Sequence, residues 1–416
     1  MKPDTRELIV VGAGPAGSMA AYHAALMGIN VTILDRSTFP RAKPCAGGLT
    51  AKTLARLPYS ITDVVQNASD EISLALRLDK KATVSAAGLI CAFVVRQDFD
   101  QLLLENAKKA GARFQQIESL DQLSVNSSCI CLTINRSEKL SAKYLIAADG
   151  ANSQIRRMTK TNGSFSRGFA VEGTVDRSGL SAMPEMELNF GCVEFGYGWV
   201  FPKGDHVNVG LFTNSEDTRL SKDMLRTYSR VKLGTDDVRG IVGFPLGFGG
   251  KSYRQIEERI LFAGDAAGMA EPLLGEGIHN AIMSGELAGV AVANALKLGR
   301  PAKSSYHASL KPIQSDLSHS ELVSNLFYRN LDRGGYRLLT TRGISSCFIK
   351  GFAAGKTMNE ITNKFAAMFW QKPLFRKKHH ETKTTLKWHA FRTPKRLGKF
   401  SVVFKFEIAH LKDCSP

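Results

Sequence analysis

Gly12-Ala13-Gly14-Pro15-Ala16-Gly17 decides the fold. The apolar run Leu8–Val11 enters it as a strand, and the small-residue stretch Ser18–Met27 leaves it as a helix closed by Gly28. A second apolar strand, Asn30–Leu34, ends at Asp35. Strand, glycine loop, helix, strand and acid in that order form a β-α-β unit for binding a dinucleotide. Gly12 permits the tight turn, Gly14 lets backbone approach a diphosphate, and Gly17 lets helix and strand pack closely. The diphosphate then sits on N–H groups at the positive end of the helix. Asp35 lies 23 residues after Gly12, where an acid accepts hydrogen bonds from a ribose. Glycines also mark ordinary turns, so the ordering of all five parts carries the reading.

Two later stretches repeat the theme. Lys143–Ala148 is an apolar strand ending in Asp149-Gly150, followed by a helical pattern from Ala151 to Arg157. Such a strand delivers Asp-Gly to the carboxyl edge of a sheet, where α/β proteins bind ligands. Arg259–Ala263 is another strand, running into Gly264-Asp265-Ala266-Ala267-Gly268. Gly264 and Asp265 suit a second close approach to the cofactor, with the carboxylate on a hydroxylated chain. Gly275-Glu276-Gly277-Ile278 then opens a long small-residue helix to Leu298. Bare N–H groups at a helix start hold negative charge, as on the N1–C2=O edge of a reduced flavin.

The bulk composition fits a globular chain of two or three domains: 416 residues, 44% hydrophobic, 22% charged. The seven cysteines are scattered, without a paired CxxC, so no structural metal or iron–sulfur cluster is expected. Reduced thiols fit a cytosolic setting. No secretory signal is visible, and no apolar run approaches the roughly 18–20 residues that span a bilayer. The net charge is +17, and residues 371–416 carry +9 of it, with twelve Lys or Arg against three acids. Trp388, Phe391, Phe400, Phe404 and Phe406 lie among those cations. This tail suits an anionic membrane surface, and nucleic acid less well.

Between the nucleotide motifs lie stretches of other kinds. The loop Arg36–Leu49 contains Cys45 two residues after Lys43 and four after Arg41. Positive charge nearby favours a thiolate, although a small residue filling a turn is the alternative. Gly47-Gly48 would let backbone pass close to a flat ligand. Arg96 stands at a strand-to-helix corner, either solvated or reaching a phosphate or ribose, and Asp98 is expected to cap the helix that follows. Residues 165–255 alternate as strands. Within them Tyr197, Trp199 and Phe201 share one strand face, while Gly196 and Gly198 leave the other bare. Such a wall suits a greasy ligand or, equally, sheet packing. Residues 304–331, 344–350 and 358–369 read as helices.

GAGPAG, Asp149-Gly150 and GDAAG with GEGI resemble, in order and spacing over residues 7–300, FAD enzymes of the para-hydroxybenzoate hydroxylase type. Within that group, Lys43–Leu49 (KPCAGGL) and Tyr197–Pro202 (YGWVFP) resemble the geranylgeranyl reductase family, which reduces C=C bonds of prenyl chains. Where that family's aromatic motif begins with proline, this chain has Glu194. The resemblance implies an α/β fold: a Rossmann-type FAD-binding domain (1–60, 96–160, 256–300), an inserted, mainly antiparallel sheet domain for substrate (61–95, 161–255), helices over 301–370 and the tail 371–416.

It also implies roles. Gly12, Gly14, Pro15, Ala16 and Gly17 would hold the diphosphate and Asp35 with Arg36 the adenosine ribose. Arg96 and Asp265 would meet the phosphate–ribityl region, with Asp149 and Gly150 in support and Gly264 also at the cofactor. Cys45, with Ala46, Gly47 and Gly48, would lie beside the isoalloxazine, with Cys45 catalytic, and Gly275, Gly277 and Ile278 at its other edge. Tyr197 and Trp199 would wall a prenyl tunnel, and His279 would be packed and neutral. NAD(P)H or ferredoxin would supply electrons to an enzyme at the inner face of the cytoplasmic membrane. The alternative is a flavin monooxygenase or halogenase, the latter needing a lysine such as Lys80 or Lys81. An electron-passing flavoprotein is a third reading. Substrate, donor and oligomeric state stay open.

Overall fold

The computed structural model describes residues 5–160, 165–253, 257–331 and 341–371. The described residues up to 366 form one compact unit. The basic tail from Lys372 onward lies outside the described residues.

The opening unit forms as its pattern requires. β1 (Thr5–Val11) runs parallel to β2 (Val31–Asp35), with α1 (Pro15–Leu26) crossing between them. The next elements are β3 (Gly48–Thr50), α2 (Ala51–Leu54), β4 (Val65–Ser69), β5 (Glu71–Leu76), β6 (Lys80–Ser85), β7 (Cys91–Val94) and α3 (Arg96–Lys109). Strands β8 (Arg113–Gln116), β9 (Leu120–Val125), β10 (Ile130–Ile134) and β11 (Glu138–Ala147) precede the short α4 (Gln154–Met158). Then come β12 (Ser166–Asp176), β13 (Glu187–Phe190), β14 (Gly196–Pro202), β15 (His206–Thr213), α5 (Lys222–Leu233), β16 (Arg239–Phe248) and β17 (Ile260–Phe262). Helices α6 (Ile278–Leu298), α7 (Ala302–Arg329), α8 (Arg342–Ala353) and α9 (Met358–Gln371) close the described chain.

Among the described residues the strands form three sheets. The nucleotide sheet runs β8-β2-β1-β11-β10-β9, with β17 parallel to the end of β11. β1 pairs in parallel with both β2 and β11, so the loop after β1 and the Asp149-Gly150 turn after β11 emerge side by side. The second sheet runs β16-β12-β15-β14-β13-β5-β6 and is antiparallel except between β13 and β5. A small sheet, β3-β7-β4, draws β3 from one expected domain segment and β4 and β7 from the other.

Small residues set the nucleotide domain's dimensions. A Cβ at Gly285 would stand 2.1 Å from Ala16 O, and one at Gly289 2.3 Å from Ala20 O, so α6 lies backbone against backbone on α1. This contact also corrects the expectation of no membrane-length apolar run. α6 is 21 residues long and apolar enough to cross a bilayer, but it is a core helix whose small-residue face is spent on α1. Two further expectations are corrected. Asp98 does not cap α3, which begins at Arg96 after Val95; it lies in the first turn, where its charge still suits the helix dipole. Nor is the face behind the aromatic strand bare. A Cβ on Gly198 would meet the Tyr228 ring of α5 at 2.4 Å, and one on Gly196 would meet Phe212 O at 1.8 Å.

Replacing Gly285 with alanine forces α1 and α6 apart or strains both. The expected cost is about 1–3 kcal/mol, read as a lower Tm of the FAD-loaded protein. An unchanged Tm would mean that the two helices do not pack this closely.

Candidate active site

The three glycine motifs converge on one cavity. Gly12, Gly14, Pro15, Ala16, Asp35 and Arg36 line it from the first motif and Asp149 from the second. Gly264, Asp265, Gly275, Gly277 and Ile278 line it from the third. Cys45 and Arg96 complete the wall. These residues come from segments up to 266 positions apart, Gly12 to Ile278, and parallel pairing brings them together.

Backbone conformation explains the first motif. Gly12 has φ +102°, in the region that favours glycine, and a Cβ there would stand 2.3 Å from Ala148 O. Gly17 does not line the cavity. A Cβ on it would meet Gly12 O at 1.8 Å, so its role is to let α1 start directly behind the loop. No side chain caps α1, whose N-cap is Gly14, and none caps α6, whose N-cap is Gly277. Two uncapped helix starts therefore border one cavity, each favouring negative charge.

Side chains fix the rest. Asp35 accepts from Ala13 N–H at 2.7 Å through Oδ2 and from Ser37 N–H at 2.8 Å through Oδ1, holding both loops. Asp149 Oδ2 accepts from Gln154 and Ile155 N–H at 2.6 and 3.1 Å, while its Oδ1 is buried without a protein partner. Asp265 is half-buried at the cavity wall, and desolvation pushes its carboxyl above the usual range, with Lys43 and Arg96 opposing. Lys43 is pulled below the usual lysine range by burial, with Arg96 adding to the effect and Asp265 opposing it.

Arg96 differs from expectation. Its Nε and Nη2 donate to Asp100 at 2.7 and 2.8 Å, and the Cys45 sulfur lies nearby. It lines the cavity as a clamped residue rather than a free phosphate ligand. The residue with an unused donor is Arg41: Nη2 pairs with Asp100 at 2.9 Å, and Nη1 is buried without a protein partner. A Cβ on Gly14 would stand 3.4 Å from Arg41 Nη2, which puts this guanidinium beside the α1 N-terminus. Asp100, fully buried between two arginines, had no signal in the sequence beyond its place in a helix.

The orphaned Arg41 Nη1 and Asp149 Oδ1, the uncapped helices and the glycine loop fit FAD. Cations and helix dipoles suit a diphosphate, and acids suit the hydroxyls of ribose and ribityl chains.

The loop at Cys45 needs a correction. Ala46 and Gly47 are not among the cavity-lining residues, and neither glycine of the pair waits for a flat ligand. A Cβ on Gly47 would meet Val94 O at 2.1 Å, and one on Gly48 would meet Cys91 Sγ at 2.9 Å, so both are consumed by packing on β7. Tyr197 and Trp199 are likewise buried rather than lining this cavity. Tyr197 O–H donates to Leu274 O at 2.5 Å, and Trp199 lies over Gly210 with Nε1 donating to Asn208 at 2.6 Å. The aromatic strand thus braces the loop that carries Gly275 and Gly277. His279 is buried, and burial lowers it to about 4, so it is neutral as expected. Lys81 is 47% exposed and paired with Glu185 at 3.1 Å, and the Lys80 side chain lies outside the described residues.

A family model described as an FAD binding domain matches residues 5–183. The chain is 31% identical over 324 residues to digeranylgeranylglycerophospholipid reductase 2 of Methanosphaera stadtmanae, covering 71% of this chain and 80% of the relative. It is 31% identical over 314 residues to menaquinone reductase of Mycobacterium tuberculosis, covering 68% and 76%. A solved geranylgeranyl bacteriochlorophyll reductase-like protein of Thermoplasma acidophilum superposes with TM-score 0.72 at 20% identity, covering 88% of this chain and 97% of the other. A flavin-dependent brominase superposes with TM-score 0.67 at 15% identity, covering 88% of this chain and all of its own, which shows a shared fold.

Replacing Arg41 with methionine removes a charged donor worth about 1.5–3 kcal/mol. FAD should bind roughly tenfold or more weakly in a flavin fluorescence titration, with Asp100 still held by Arg96. Unchanged affinity would place the diphosphate elsewhere.

Proposed function

The chain belongs to the geranylgeranyl reductase family of FAD-dependent oxidoreductases, and from that premise we propose that it reduces C=C bonds of a prenyl lipid or an isoprenoid quinone side chain. The observation that carries this reading is the join between its two signature stretches. The aromatic strand β14 is bonded through Tyr197 to the loop bearing Gly275 and Gly277, and the Cys45 loop lines the same cavity. An apolar cluster with Phe93, Phe190, Tyr197, Trp199, Phe201 and Phe212 lies directly behind. Phe244 and Leu246, which line the cavity, pack against this cluster, so the cavity borders apolar surroundings that suit a prenyl chain. The Lys81–Glu185 surface pair gives a halogenase reading no support.

FAD, when bound and reduced by NAD(P)H or ferredoxin, would supply the hydride. The protein's residues do the rest. The α1 start and Arg41 hold the diphosphate, and the α6 start at Gly277 favours negative charge at the cavity's other end. An unactivated alkene accepts hydride poorly, so a proton must reach the second carbon in a site without bulk water. We assign Cys45 to assist that proton at Sγ, where Gly47 N–H donates at 3.4 Å and the Arg96 cation lies nearby.

Anaerobic reduction of the bound flavin, followed separately by geranylgeranyl diphosphate, a menaquinone and a digeranylgeranyl lipid, tests the reading. At least one should reoxidise the flavin and gain two mass units per bond. Reoxidation by oxygen alone would overturn the reductase assignment.

The charge of residues 371–416 supports a peripheral place on an anionic membrane at the cytoplasmic face. Deleting 371–416 should release the enzyme from sedimenting anionic liposomes, and unchanged sedimentation would remove the anchoring role.

A further inference from the structure

Two buried charges beside Cys45 have no part in the scheme above. Glu172 stands in the middle of β12 and Lys203 follows β14, 6% and 4% exposed. Glu172 Oε1 accepts from the Cys45 N–H at 2.7 Å, and its Oε2 is buried without a protein partner. Lys203 Nζ donates to Val94 O at 2.9 Å and lies 3.1 Å from where a side chain on Gly47 would begin. Val94 N–H in turn donates to Gly47 O at 2.9 Å. The turn Cys45–Gly47 is thereby gripped at its entrance by an acid and at its exit by a base.

Packing alone does not explain these residue types. Burying an ion costs several kcal/mol, and apolar residues of similar volume often stabilise as well or better. Desolvation pulls Lys203 below the usual lysine range, with Cys45 and then Glu172 opposing it. Desolvation pushes Glu172 up, with the Cys45 N–H and Lys203 foremost in opposing it. Burial thus outweighs the compensation at both ends, and the charges face the Cys45 turn.

We propose that Lys203 and Glu172 are positioning residues for Cys45: they fix the 45–47 turn at the cavity wall and, by the opposite signs of their charges, set how fast its thiol reacts with an electrophile. A cation held close to a cysteine sulfur speeds its reaction with an electrophile, and an anion slows it. The inference concerns the turn itself and holds whichever alkene is reduced.

Iodoacetamide on the full-length, FAD-loaded protein at neutral pH tests it. The sulfur forms a C–S bond, iodide leaves, and the thiol proton passes to buffer. Alkylation of the Cys45 peptide is timed by mass spectrometry against Cys129, in the turn between β9 and β10, as the internal reference. Lys203→Met should slow Cys45 relative to Cys129 roughly threefold or more, and Lys203→Arg should restore it. Glu172→Gln keeps an acceptor for the Cys45 N–H but removes the charge, and should speed it. If Lys203→Met does not retain FAD, the Glu172→Gln and Lys203→Arg arms carry the test. Unchanged ratios throughout, or a shift of the same sign in Lys203→Met and Glu172→Gln, would overturn the proposal and leave the pair as packing.

Discussion

Backbone-on-backbone contact at the glycine loop is the constraint on which the rest of the site depends. Gly17 meets the Gly12 carbonyl, Gly12 meets the Ala148 carbonyl, and Gly285 and Gly289 meet the backbone of α1. Each approach is closer than any side chain permits, and together they fix where α1 begins. Once α1 is placed, its N-terminus, the Asp149 turn and the α6 N-terminus border one cavity. The local cost of several glycines in and beside helices, about 0.5–1 kcal/mol each, is offset by the core that α1 and α6 share with the nucleotide sheet.

That constraint is also why the nucleotide half was legible in the sequence. Glycine spacing, a preceding apolar strand and a following acid are local signals, and each survives reading without a structure. The same holds for Asp149 and Asp265, which end apolar strands. The misread residues failed for a different physical reason. Gly47, Gly48 and Gly198 signalled room for a ligand, but the room is filled by Val94, Cys91 and Tyr228. A glycine reports that something comes close; it does not report what.

Buried charge was the least legible feature. Asp100 pairs with both Arg41 and Arg96 from within a helix whose pattern marked only its apolar face. Glu172 is 127 residues from Cys45 along the chain, yet bonds to its N–H. Nothing in the spacing announces such partners, because they are set by how the second sheet meets the nucleotide domain. The aromatic strand shows the same effect. Its alternation was readable, while the Tyr197 bond that braces the cofactor loop emerged only with the fold.

The central claim is that this cavity serves reduction of an isolated alkene and not oxygen insertion. The most direct measurement is one turnover of the reduced holoenzyme with a digeranylgeranyl lipid under limiting heavy-isotope oxygen, with product masses read. The account predicts product two mass units heavier, with one double bond reduced and free of the oxygen label. Labelled oxygen in the product, with the double bonds intact, would contradict it.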